Sequence, residues 1–91
     1  MTTLAVRHSV SDFDSWKIAF DGHEASRRSH GATGHRVLRD GNDLLVLVDF
    51  PDAASAQAFQ SDPALASALR NGGVQGVPDV SVRTEASQAQ Y

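Results

Sequence analysis

The chain reads as a single α+β domain of β-α-β-β-α-β order, a ferredoxin-like arrangement. Three observations predict it. Thr2–Val10 alternates, with Leu4, Val6, His8 and Val10 on one face, which marks a half-buried strand. Leu44–Phe50 is apolar on both faces, as a central strand is. Between and after these strands lie two stretches with helical spacing. The 91 residues hold one core, so we take 1–91 as one domain.

Each element has its own local cause. Ser11 or Asp12 can cap a first helix, and Phe13, Trp16 and Phe20 recur at helical spacing, so it is expected from about Asp12 to Ser29. Gly31 and Gly34 end it. A second strand follows over His35–Asp40, with His35, Val37 and Arg39 on one side. Asp40-Gly41-Asn42-Asp43 makes a hairpin turn into the third strand. Pro51-Asp52 starts a second helix carrying Ala56 and Phe59, and Asp62-Pro63 restarts it with Leu65 and Leu69 inward. Gly72-Gly73 stops it. The fourth strand is expected over Asp79–Glu85, after Pro78. Ala86–Tyr91 has no usable pattern and is expected to be loose or to reach a partner.

This order puts helices on one face of a four-stranded antiparallel sheet, with the first and third strands adjacent in the middle. Those two strands are expected in parallel register. Leu38, Leu45 and Leu47 would then stand on the bare face. Burying each such side chain is worth roughly 1.5–3 kcal/mol, which predicts sheet-to-sheet pairing of two copies as a homodimer. A chain this short buries only roughly 60–65% of its unfolded surface, so a partner would add needed stability.

Composition excludes several classes. There is no cysteine, hence no disulfide or thiolate metal site. Net charge is −3 with scattered basic residues, so no nucleic acid partner is expected. The longest apolar run, Leu44–Val48, is too short for a membrane span, and the first ten residues lack signal-peptide character. A cytoplasmic protein is the expectation. No HExxH or close histidine pair suggests a metal, and no glycine-rich strand-to-helix turn suggests a dinucleotide. Haem through His8, His23 or His35 stays open.

The segments Val6-Arg7-His8, Asp12-Phe13-Asp14-Ser15-Trp16-Lys17 with Phe20, Val48-Asp49-Phe50, Ala56-Gln57-Ala58-Phe59 and Gly76-Val77-Pro78 resemble dimeric α+β barrel proteins. The chain is similar to small bacterial antibiotic biosynthesis monooxygenase-like and cyclase-like members. The resemblance implies two back-to-back sheets and a pocket between each subunit's own helices and sheet. It also implies a range of activities that includes cofactor-free monooxygenases, polyketide cyclases and haem-degrading enzymes. The fold does not choose among them.

His8 and His35 are the candidate catalytic pair. His8 shares the face of Val6, and the hairpin sets His35 opposite Val48. Both imidazoles would face the helices, with Cα atoms on the order of 10 Å apart. Such a pair suits proton abstraction beside a carbonyl near neutral pH. The competing reading is two hydrogen-bonded core histidines.

Trp16, Phe20, Phe50 and Phe59 would wall an aromatic substrate or simply fill the core. His23 and Arg27 continue the first helix's stripe. They either line a pocket mouth, with Arg27 gripping a phenolate or carboxylate, or overrun the sheet into solvent. Solvent is favoured, because arginine is seldom buried. These residues, taken with what the resemblance implies, predict a cofactor-independent enzyme of specialised metabolism acting on an aromatic or polyketide-like small molecule. Cyclase or isomerase chemistry leads, since the sole tyrosine is the terminal Tyr91. A cofactor-free monooxygenase and a non-catalytic ligand-binding or stress-related dimer are the alternatives.

Overall fold

The structure, a computed structural model, describes the backbone of residues 1–91 and all side chains except that of Asn71. Its elements are β1 (Thr2–Val10), α1 (Phe13–Gly22), α2 (Glu24–Ser29), β2 (Gly34–Asp40), β3 (Asp43–Phe50), α3 (Ala53–Gln60), α4 (Pro63–Asn71) and β4 (Val74–Thr84). The sheet order is β2-β3-β1-β4, the ferredoxin-like order with β1 and β3 central.

Helix starts follow the side chains that cap them. Asp12, Asp52 and Asp62 each accept a hydrogen bond from a backbone N–H of the next helix, from Ser15, Ser55 and Ala64 respectively. Pro63 occupies the first turn of α4, where its missing N–H costs nothing. Gly41, at φ +58°, makes the two-residue turn between β2 and β3.

Three expectations need correction. The first helix is not continuous: it breaks at His23 (φ −99°, ψ 7°), whose N–H bonds the Phe20 carbonyl. Gly22 weakens the helix just before that point, and the tightened turn lets α2 set off in a new direction. The fourth strand begins at Val74, five residues earlier than expected, and contains Pro78. It is an edge strand, where a proline lacking N–H is tolerated. Its register against β1 shifts between Arg7 and Ser9, with Gly76 at φ +72° within the irregularity.

The third correction matters most for the site. β1 and β3 are antiparallel, not parallel. The helical crossover makes β1 and β2 run alike, and the hairpin then reverses β3 against both. In the resulting register His8 faces Leu44, whereas His35 faces Val48. The two histidines flank β3 four residues apart along it, which places their Cα atoms about 16 Å from each other rather than about 10 Å.

The core lies between the sheet and the helices. Leu4, Val6 and Val10 of β1 and Leu44, Val46, Val48 and Phe50 of β3 supply its floor, and Trp16, Ala56 and Phe59 its cover. Their strand positions all share one parity, so a one-residue slip would expose the whole set. The opposite face carries Leu38, Leu45 and Leu47 bordered by Arg7, Arg36, Asp43 and Asp79, and Leu38 is 47% exposed. Among the described residues, no helix is long and apolar enough to cross a membrane.

Candidate functional site

A cavity of about 60 Å³ lies between the sheet and the helices and opens to solvent. Leu4, Val6 and His8 of β1 and Val46 and Val48 of β3 form its floor. Trp16 and Phe20 of α1 roof it, stacked with ring centroids 4.9 Å apart. The side wall is α4, through Leu65, Ala68 and Leu69, with its C-cap Gly72. These four recur at i, i+3, i+4 and i+7, one helical stripe, of which the sequence reading singled out only the two leucines. Among the described residues of α4 none is fully buried, so this wall is held more lightly than the others.

His8 sits on the floor, 5% exposed, with its ring 5.7 Å from Trp16. Its Nδ1 is buried and has no hydrogen-bond partner. Burial lowers the proton affinity of the imidazole below the ordinary histidine value, opposed by the more distant charge of Asp43. The neutral ring therefore dominates near pH 7, with a free lone pair when the proton resides on Nε2.

Arg27 departs from expectation. It is not in solvent but 5% exposed, on the cavity's wall. Its guanidinium carbon lies 3.7 Å from the centroid of Phe20, and Nη1 donates to the Phe20 carbonyl at 2.8 Å. The helix break makes this possible, because α2 folds back over the end of α1. The second terminal nitrogen, Nη2, is buried without a partner, and Arg27 enters none of the ion pairs among the described residues. Burial lowers its pKa, while Glu24 and Asp21 act the other way.

Thus the two buried side-chain polar atoms without partners among the described residues, His8 Nδ1 and Arg27 Nη2, belong to residues lining one cavity. A buried unsatisfied donor or acceptor costs about 1–3 kcal/mol. Two such atoms on residues that line one apolar chamber leave hydrogen-bonding capacity unused there.

The remaining sequence candidates divide. His23, half-buried at the helix break, and Phe59 both line the cavity. Phe50 does not: it is fully buried, with its ring 5.6 Å from Phe59, as core. His35 is also outside. It is exposed on edge strand β2, its ring edge-on to Phe20 at 4.9 Å, and it does not line the cavity. No group of three or more metal-ligating side chains is present among the described residues.

Neither a protein-family model nor any curated protein matches this sequence. Solved structures do match. SnoaB from Streptomyces nogalater, a cofactor-independent oxygenase, superposes with a TM-score of 0.76 at 18% identity, over 96% of this chain and 94% of SnoaB. The chain shares the ferredoxin-like α+β fold of that protein. A Deinococcus radiodurans protein classed with antibiotic biosynthesis monooxygenases gives 0.72 at 13% identity, over 100% and 98% of the two chains. A protein of unknown function from Nitrosomonas europaea gives 0.74 at 17%, over 99% and 93%. At these identities the shared property is the fold, and the chemistry rests on this chain's own residues.

Those residues offer a base and an anion clamp in an apolar chamber. His8 can accept a proton; Arg27 can hold the oxygen on which the resulting charge settles. α4 is the wall best able to yield to an aromatic ligand larger than the cavity.

Proposed function

We propose that this protein is a cofactor-independent oxygenase of an acidic aromatic small molecule, one with a C–H bond activated by a neighbouring carbonyl. The observation that carries this is the pair of unpartnered buried atoms, His8 Nδ1 and Arg27 Nη2, on residues that line one apolar cavity roofed by Trp16. The shared fold with SnoaB supports the reaction class.

In this reading His8 Nδ1 removes a proton from the activated CH2 carbon, and the electron pair moves onto the carbonyl oxygen, facing Arg27. The electron-rich carbon then bonds to dioxygen, and the proton on His8 returns as the hydroperoxide forms. Loss of the second hydrogen as a proton and of hydroxide leaves a new carbonyl and water. The sum is CH2 plus O2 to C=O plus H2O. The apolar walls keep bulk water from reprotonating the carbanion.

A cyclase would share the first step but needs a separate acid at the reacting oxygen. His35, the expected partner, lies outside the cavity, and for that reason the oxygenase reading is preferred. An oxygen electrode with 1,8-dihydroxyanthrone tests it. One O2 should be consumed per quinone formed, above the uncatalysed rate, and His8→Ala should lose about 10²–10⁴-fold of the excess. No oxygen uptake above the uncatalysed rate would remove the oxygenase reading and return the cyclase one. Tight binding of the anthrone with no turnover would leave a ligand-binding protein.

A further inference from the structure

We propose that Gly72, at the end of α4, is a specificity-determining position that sets how many fused rings the cavity accepts. The proposal rests on the ligand class read above, though its packing argument stands independently of any reaction.

The two adjacent glycines here have different reasons. Gly73, at φ +74°, occupies a left-handed conformation that disfavours side chains. Gly72, at φ −78° and ψ 0°, does not: its backbone would accept any residue. What it lacks is space. A Cβ built on Gly72 would lie 3.1 Å from Trp16 Cδ1 and 3.3 Å from the Ala68 carbonyl oxygen. The absent methyl group is what allows the indole to lie against the α4 backbone.

The indole has nowhere else to go. It is 4% exposed and packed between Phe20, His8 and Phe13 at ring distances of 4.9, 5.7 and 5.8 Å. A side chain at position 72 therefore pushes Trp16 away from α4, into the chamber that Trp16 roofs. The shift also reaches both polar heads of the site. His8 touches the indole directly, and Arg27 stacks on Phe20, which stacks on the indole. Gly72 thus acts as a positioning residue through Trp16, and its first effect is on the length of ring system that fits.

The test uses two fluorescent carboxylates that differ by one ring, 2-naphthoate and anthracene-2-carboxylate, so that no turnover is required. Gly72→Val should weaken the three-ring probe by about tenfold or more while changing the two-ring probe by less than about twofold. Gly72→Ala should give a smaller loss in the same order. Adding Trp16→Phe to Gly72→Val should restore three-ring binding, because the smaller ring vacates the contested space. Equal weakening of both probes, no weakening of either, or no restoration by Trp16→Phe would overturn the proposal. If neither probe binds the wild-type protein, the anionic ligand class fails instead. The emission of Trp16, the sole tryptophan, then decides: a shift in Gly72→Val supports the packing argument and an unchanged spectrum overturns it.

Discussion

Replacing Arg27 by methionine separates stability from binding in a way that few buried-charge substitutions do. The change removes one hydrogen bond from a charged donor, Nη1 to the Phe20 carbonyl, worth about 1.5–3 kcal/mol, and a stacking contact worth about 0.5–2 kcal/mol. It also removes a buried nitrogen with no partner, whose desolvation costs about 1–3 kcal/mol. The Phe20 carbonyl is not orphaned, because the His23 N–H still bonds it at 3.1 Å. Methionine keeps most of the buried stem and its contact with the ring.

The opposing contributions cancel to within about 1–2 kcal/mol, where breaking a fully satisfied buried ion pair would cost about 3–5 kcal/mol. Urea unfolding followed by Trp16 emission should therefore place Arg27→Met within about 2 kcal/mol of wild type. Titration with 2-naphthoate should show at least about tenfold weaker binding, the loss of one charge-assisted hydrogen bond. A variant destabilised by more than about 3 kcal/mol with unchanged naphthoate affinity would refute the reasoning. Arg27 would then be a structural cation.

Other expectations follow from the same structure. Because burial lowers the proton affinity of His8, the unfolded chain binds that proton more tightly, so stability holds above the ordinary imidazole value of 6.5 and falls as pH drops through the lower folded value. His8→Phe should flatten this fall between about pH 7 and pH 5 in urea unfolding, and an undiminished slope would exclude His8 as its source. Placing a carboxylate among Leu38, Leu45 and Leu47 through Leu45→Glu should convert a dimer to monomer in sedimentation, if a second copy covers that face. A wild-type monomer would remove the pairing. Asp62→Ala deletes the α4 cap and the contact of that carboxylate with His30 at 3.3 Å. It should cost about 1 kcal/mol, read as faster amide exchange confined to α4; uniform acceleration would show that α4 is not a separately opening wall.

Much of the scaffold was legible because it is written in local signals. The double-faced run of β3, the parity of β1 and the aspartates at positions 12, 52 and 62 each specify their element without reference to distant residues. The misplaced features depend on non-local geometry. Periodicity puts His35 on the helix-covered face correctly, but only the antiparallel register separates it from His8 along β3. Pro78 argues against a strand until β4 is known to lie at the edge. The general rule for arginine predicts a solvent-exposed Arg27. Its burial depends on the break after Gly22, which brings a guanidinium back over Phe20 seven residues earlier. The α4 stripe was half visible: Ala68 and Gly72 carry no strong apolar signal, yet their smallness shapes the wall.

A crystal structure with 2-naphthoate tests the central claim most directly. Its carboxylate should lie within hydrogen-bond distance of Arg27 Nη2, with the ring system beneath Trp16 and reaching toward His8 Nδ1. A carboxylate seated on the outer sheet face, or a ligand in the cavity whose polar group turns away from both atoms, would contradict it.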